Sequence, residues 1–181
     1  MTNGDVVYFG RALQLGLTNT QRDVVFALES AVVGVAPPYV HPNTVRSTLT
    51  SDQALELALP HSENPRIELR IYIDQDGRLE ILCPALHPGF EVCFNDIWEP
   101  RDCAGDLALG VDVVRGLLEG RVEASVLWSA DDVAATKDVL VRPDGTRVGL
   151  AREFSVTGML SALVTRRHEK RRVSFMAVDP K

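Results

Sequence analysis

The chain of 181 residues is 45% hydrophobic and 24% charged, an ordinary balance for a globular protein that excludes a disordered, collagenous or disulfide-stapled chain. Its 19 basic and 25 acidic side chains leave a formal net charge of −6, so the surface as a whole repels a phosphate backbone. The length suits one α+β domain over residues 1–181, with the one candidate subdivision near 100–105.

Residues 5–9 read as a short first strand ended by Gly10. Thr20 and Asp23 have capping-box spacing, and Val24, Val25, Leu28, Ala31 and Val32 recur at helical period until Gly34, which predicts a first helix. Pro37, Pro38 and Pro42 then make 35–47 a traversing loop, because each proline lacks an amide hydrogen and forces its predecessor to extended geometry. A short helix is expected over 51–59, with Asp52 and Gln53 in its first turn, Leu55 and Ala58 on one face and Pro60 as its stop.

The clearest segment is 66–73, where Ile67, Leu69, Ile71 and Ile73 alternate with polar or amphipathic residues at the period of a half-buried strand. Asp76-Gly77 supplies a turn, and Leu79, Ile81 and Cys83 alternate again, so the two runs make an antiparallel hairpin that 90–94 can extend. A second helix fits 106–119, with Leu107, Val111, Val114, Leu117 and Leu118 on one side, although Gly110 and Gly116 weaken it. Val122, Ala124, Val126 and Trp128 form another alternating strand, and 139–141 and 146–150 flank Pro143-Asp144-Gly145 as a second hairpin. Val156, Met159, Leu160, Leu163 and Val164 predict a third long helix over 155–170, followed by a strand over 173–178. The expected class is α+β: mostly antiparallel sheet built around two hairpins, with three or four helices packed mainly on one face.

Three cysteines in a chain large enough to build its own core point to reduced thiols and a cytoplasmic location. The first residues carry Asp5 where an export signal needs basic residues, and the longest charge-free stretch is broken by Pro37, Pro38 and Pro42, so no membrane association is expected. Only Lys137, Lys170 and Lys181 of the 19 basic residues are lysine, the coding bias of a GC-rich bacterial genome.

Cys83, His87, Cys93 and Cys103 have the ligand types zinc accepts, but their C-x3-H-x5-C-x9-C spacing lacks the tight C-x2-C knuckle of structural sites. Core or incidental thiols are therefore expected, with no metal and no cofactor. The Asp74, Asp76, Gly77 and Glu80 group reads as a hairpin turn rather than a calcium loop, because strand-like alternation borders it on both sides.

Residues 166–172, Arg-Arg-His-Glu-Lys-Arg-Arg, form the densest basic run. It suits the last turn of the helix over 155–170, where cations complement the dipole, and its other use is an anion or partner site at Arg166, Arg167 and Arg171. No aromatic residue is interleaved for base stacking, so nucleic acid is disfavoured. Trp98, rimmed by Asp96 and Glu99, has the makeup of an interface anchor, though a loop tryptophan can equally plug a core.

No nucleophile elbow, phosphate-binding loop, dinucleotide fingerprint or zinc-protease motif occurs, and the catalytic residues of any enzyme reading are unknown. The leading expectation is a non-enzymatic protein-binding module of the immunity, adaptor or chaperone-like kind, partnered by another protein or by itself as a homodimer. The alternative is an enzyme or small-molecule-binding domain with a pocket against the sheet. Anion binding at the basic run is the third.

Overall fold

The computed structural model describes residues 7–35, 39–64, 66–86, 90–94, 103–129, 132–154 and 166–172. Among them are two α-helices, α1 (Asn19–Val35) and α2 (Cys103–Leu118), and nine strands in two antiparallel sheets. The first sheet is a meander of β1 (Arg46–Leu49), β2 (Leu55–Pro60), β3 (Glu68–Ile73), β4 (Leu79–Leu82) and β5 (Glu91–Phe94) in sequence order. The second comprises β6 (Val122–Ser129), β7 (Asp132–Val141), β8 (Arg147–Phe154) and β9 (Arg166–Arg172), ordered β8-β7-β6-β9.

Among the described residues sheet predominates, with two α-helices, which corrects the expectation of three or four helices on one face. Where a helix was expected over 51–59, the chain makes a hairpin: Leu55, Leu57 and Leu59 of β2 all point into the core, in register between β1 and β3. Leu, Ala and Glu favour helix intrinsically, but pairing on both edges overrides that preference. Thr50 and Asp52 cap the hairpin's turn, with Thr50 Oγ1 accepting from Ala54 N at 3.0 Å.

The helix expected over 155–170 is overturned in its last part, because β9 pairs along its whole length with β6. Residues 155–165 and 173–178 lie outside the described residues. The strand expected over 5–9 is absent from Val7 to Phe9. There the amides of Tyr8 and Phe9 donate to the two carboxylate oxygens of Glu29 on α1, each at 2.7 Å, which seats the Phe9 ring fully in the core. The pKa of Tyr8 is raised by burial and by the nearby Glu29.

Both Asp-Gly corners form as expected, with Gly77 and Gly145 at φ of 84° and 85°, the left-handed region that favours glycine. The β3–β4 register places Ile71 opposite Ile81 and Ile73 opposite Leu79 on the core side. The start of α1 lies two residues upstream of its expected cap. Thr18 Oγ1 accepts from Gln21 N at 3.1 Å while Gln21 Oε1 accepts from Thr18 N at 3.0 Å, a reciprocal capping box.

Helix α2 lies against α1 and against β4, β5, β6 and β7, and β5 and β8 approach one another. Val24, Val25, Leu28 and Val32 of α1 and Val113, Val114, Leu117 and Leu118 of α2 join the inner side chains of both sheets in one hydrophobic cluster. Helix α2 therefore packs on the inner side of both sheets, α1 shares the same core, and the outer faces of the sheets carry the polar half of each alternation.

Candidate functional site

The outer face of the second sheet is built by strand register. In β6, Glu123, Ser125 and Leu127 point away from the core, opposite the buried Val122, Ala124 and Val126. Cross-strand pairing sets Arg172, Lys170 and His168 of β9 beside them on one side, and Val139, Lys137 and Ala135 of β7 on the other. His168, Lys170, Arg172, Lys137 and Arg147 are all exposed.

Glu123 pairs with two arginines at once. Arg147 reaches across β7 to donate to its Oε2 at 2.6 Å, and Arg172 holds the other oxygen. Val139, which lies between Glu123 and Gly149 under this bridge, is only 7% exposed although it belongs to the outer side. Lys137 and Lys170, on either side of Ser125, make no ion pair among the described residues. Four cations thus share this face with one carboxylate among the described side chains.

The outer face of the first sheet has the opposite balance. Glu68 is held by Arg46 and by Arg70 Nε at 2.6 Å, and Tyr72 donates its hydroxyl hydrogen to Glu56 Oε1 at 3.1 Å. Glu68 raises the Arg70 pKa, and burial followed by Glu56 raises that of Tyr72. Burial, and then repulsion from Glu91, raises the pKa of Glu80.

The basic run expected to end a helix is divided by strand alternation between two faces. Glu169 and Arg171 turn inward beside Val126 and Ala124, while His168, Lys170 and Arg172 turn outward. Arg171 Nε lies 2.9 Å from Glu169 Oε1, and its guanidinium carbon lies 5.4 Å from the centroid of the Trp128 ring. Trp128 Nε1 in turn donates to Glu169 Oε2 at 3.0 Å. Arg171, read from sequence as an anion ligand, is thus engaged inside its own sheet. The backbones of Arg166 and Arg167 stand in register opposite Ser129 and Trp128.

Cys83 continues the inward alternation of Leu79 and Ile81 and is a fully buried free thiol, its pKa pushed up to about 12 by burial. A thiol held protonated is a poor nucleophile and a poor metal ligand. Cys93 stands in β5 opposite Glu80, and Cys103 opens α2. His87, Trp98, Asp96 and Glu99 lie outside the described residues. Among the described residues no three His, Cys, Asp or Glu side chains converge to hold a metal, and no helix is long and apolar enough to cross a membrane.

His61 is buried and stacked on Tyr39, with ring centroids 4.9 Å apart and planes 17° apart. Its Nδ1 accepts from the amides of Glu63 and Asn64, both at 3.1 Å, so that nitrogen carries no proton. Burial lowers its pKa, and Glu63 opposes that shift. This histidine closes a turn.

No protein-family description, curated protein or solved structure matches the chain. Its reading rests on its own geometry. Glu123, Lys137 and Arg147 were not singled out from sequence, and Lys170 and Arg172 were noticed only as members of the basic run, because the five are brought together by register over a span of 50 positions, from 123 to 172. The available signal was the period of two within 166–172, which the amphipathic pattern just upstream obscured.

Proposed function

We propose that the chain is a non-enzymatic protein-binding module that meets its partner with the outer faces of its sheets. The observation that carries this reading is that α1 and α2 share one core with the inner side chains of both sheets, which leaves two polar outer faces of opposite charge balance. Antiparallel sheets commonly keep one face in water, and charged arrays on such a face recognise partners by complementarity. Several buried or half-buried polar groups that catalysis would otherwise draw on are tied to backbone: Gln21 and Glu29 hold neighbouring segments and His61 closes its turn.

A cytoplasmic location belongs to the same reading, supported by the buried free thiol of Cys83. Trp98, Asp96 and Glu99 are assigned to the contact surface by their composition, with an interface tryptophan as the anchor.

Cross-linking of the tagged full chain in its native cells, followed by mass spectrometry of the linked peptides, tests this. Cross-links from lysines such as Lys137 and Lys170 to one recurring protein are expected, weakened by Trp98→Ala. Cross-links confined to the chain itself, together with turnover of a small molecule by the purified protein, would overturn the reading in favour of an enzyme.

A further inference from the structure

We infer that the outer face of the second sheet, formed by Lys137, Arg147, Lys170 and Arg172 around Glu123, is a docking surface for an acidic segment of another protein. The inference rests on the protein-binding reading and names the face and the chemistry of its partner. Its first support is local charge. In a chain of net charge −6, this face concentrates cations, and two of them, Lys137 and Lys170, are exposed with no ion pair among the described residues. They flank Ser125, two strand spacings or about 10 Å apart, a little more than the Debye length of about 8 Å at physiological salt, so each is partly screened from the other and one extended acidic segment can meet both.

The second support is preorganisation. Glu123 fixes Arg147 and Arg172 from opposite sides, and the resulting cluster retains positive charge because one carboxylate faces two guanidiniums. Arginines already held in place lose less freedom when a carboxylate docks. Leu127 and Ala135, half-buried beside His168, supply an apolar strip next to the cations.

The chemistry of the occupant follows by comparison. A second copy cannot meet this face across a two-fold axis, because that symmetry sets each basic patch against itself. A head-to-tail copy offering the first sheet's outer face would bring Glu68 already held by Arg46 and Arg70, Glu56 held by Tyr72 and a half-buried Glu80, a poorer match than a segment whose carboxylates are unengaged. Nucleic acid is opposed by the net charge and by the lack of aromatic residues interleaved within 166–172. A short Asp/Glu-rich segment matches both the charge and the extent of the patch.

The test is fluorescence anisotropy of the full chain with a fluorescein-labelled glutamate decapeptide, set beside a single-stranded DNA decamer, at low and physiological salt. Saturable binding of the decapeptide is expected, weakened about tenfold or more by Lys137→Glu and by Lys170→Glu and less than about twofold by Arg66→Glu, the same charge change at an exposed residue off this face. Lys137→Gln and Lys170→Gln, with melting curves matching the parent, keep the result free of folding artefacts. Absence of saturable binding, an equal loss in Arg66→Glu, or tighter binding of the DNA each overturns the inference. A cellular partner whose cross-links persist in Lys137→Glu and Lys170→Glu overturns this face while leaving the protein-binding reading intact; loss of every partner contact in the parent chain overturns the broader reading itself.

Discussion

Gln21 at the start of α1 and Ile73 at the end of β3 are joined by a hydrogen bond from the side-chain amide to the backbone carbonyl, 3.1 Å long. The same nitrogen donates to Gln53 O at 3.0 Å, while the amide oxygen accepts from Thr18 N. Both N–H donors and the oxygen of a side chain only 1% exposed are thereby engaged, and the pattern fixes which end of the amide is nitrogen. Gln21→Leu removes the donors and leaves two carbonyls short of a partner, so a loss of about 1–3 kcal/mol is expected from urea unfolding. Gln21→Glu should lose more at neutral pH, since a carboxylate would face those two carbonyls. A loss under about 0.5 kcal/mol in both would show that water replaces the amide.

Gly116 lets α2 touch the second sheet. A methyl group built there would overlap Leu140 Cδ1 and stand 3.4 Å from Val122 Cγ2. Alanine gains about 1 kcal/mol of helix propensity over glycine, but overpacking a filled core costs about 1–3 kcal/mol. Gly116→Ala is therefore expected to destabilise, and Gly116→Val more so. Leu140→Val removes the clashing carbon, so Gly116→Ala should cost less in that background; equal costs in both backgrounds would refute the contact.

His61 makes stability depend on pH. Its folded pKa lies below the ordinary 6.5, chiefly because burial disfavours the charged imidazole. As acid is added the unfolded chain takes up the proton first. The contribution of His61 is thus complete above the unfolded value and is lost as the pH falls through the lowered folded value. Melting curves between about pH 7.5 and 5 should show a smaller decline for His61→Gln than for the parent chain. Parallel declines would assign the acid sensitivity to other groups.

Trp128 reports on the ion pair beside it. Glu169→Gln weakens the bonds to Arg171 and to the indole nitrogen, all at partly exposed side chains, so about 0.5–1 kcal/mol is expected. In a Trp98→Phe background the remaining tryptophan emission comes from Trp128 alone, and Glu169→Gln should shift it. An unmoved spectrum would place the indole outside this cluster.

The two Asp-Gly hairpins and both described helices were legible because their patterns are local: Ile67 to Ile73 alternates strictly, and Val24 to Val32 repeats at helical spacing. The segment around Leu55 was ambiguous, since Leu-Glu-Leu-Ala-Leu satisfies a strand by alternation and a helix by propensity. Only its pairing with both β1 and β3 decides the matter. The basic face was hidden for a related reason. Lys137 and Lys170 lie on β7 and β9, with β6 and Ser125 between them, and no reading of 166–172 alone reveals which of its residues face water.

The place of β9 at the end of its sheet has a colloidal consequence. Among the described residues it bonds to β6 alone, and a strand at the end of a sheet is where a foreign strand can add. If a second molecule laid its own β9 antiparallel there, centred on Glu169, Arg166 would meet Arg172 and Arg167 would meet Arg171 in both halves of the duplex. Like charges opposed in this way repel. Replacing those arginines with threonine or valine is expected to remove that repulsion and to ease strand-to-strand association between crowded copies.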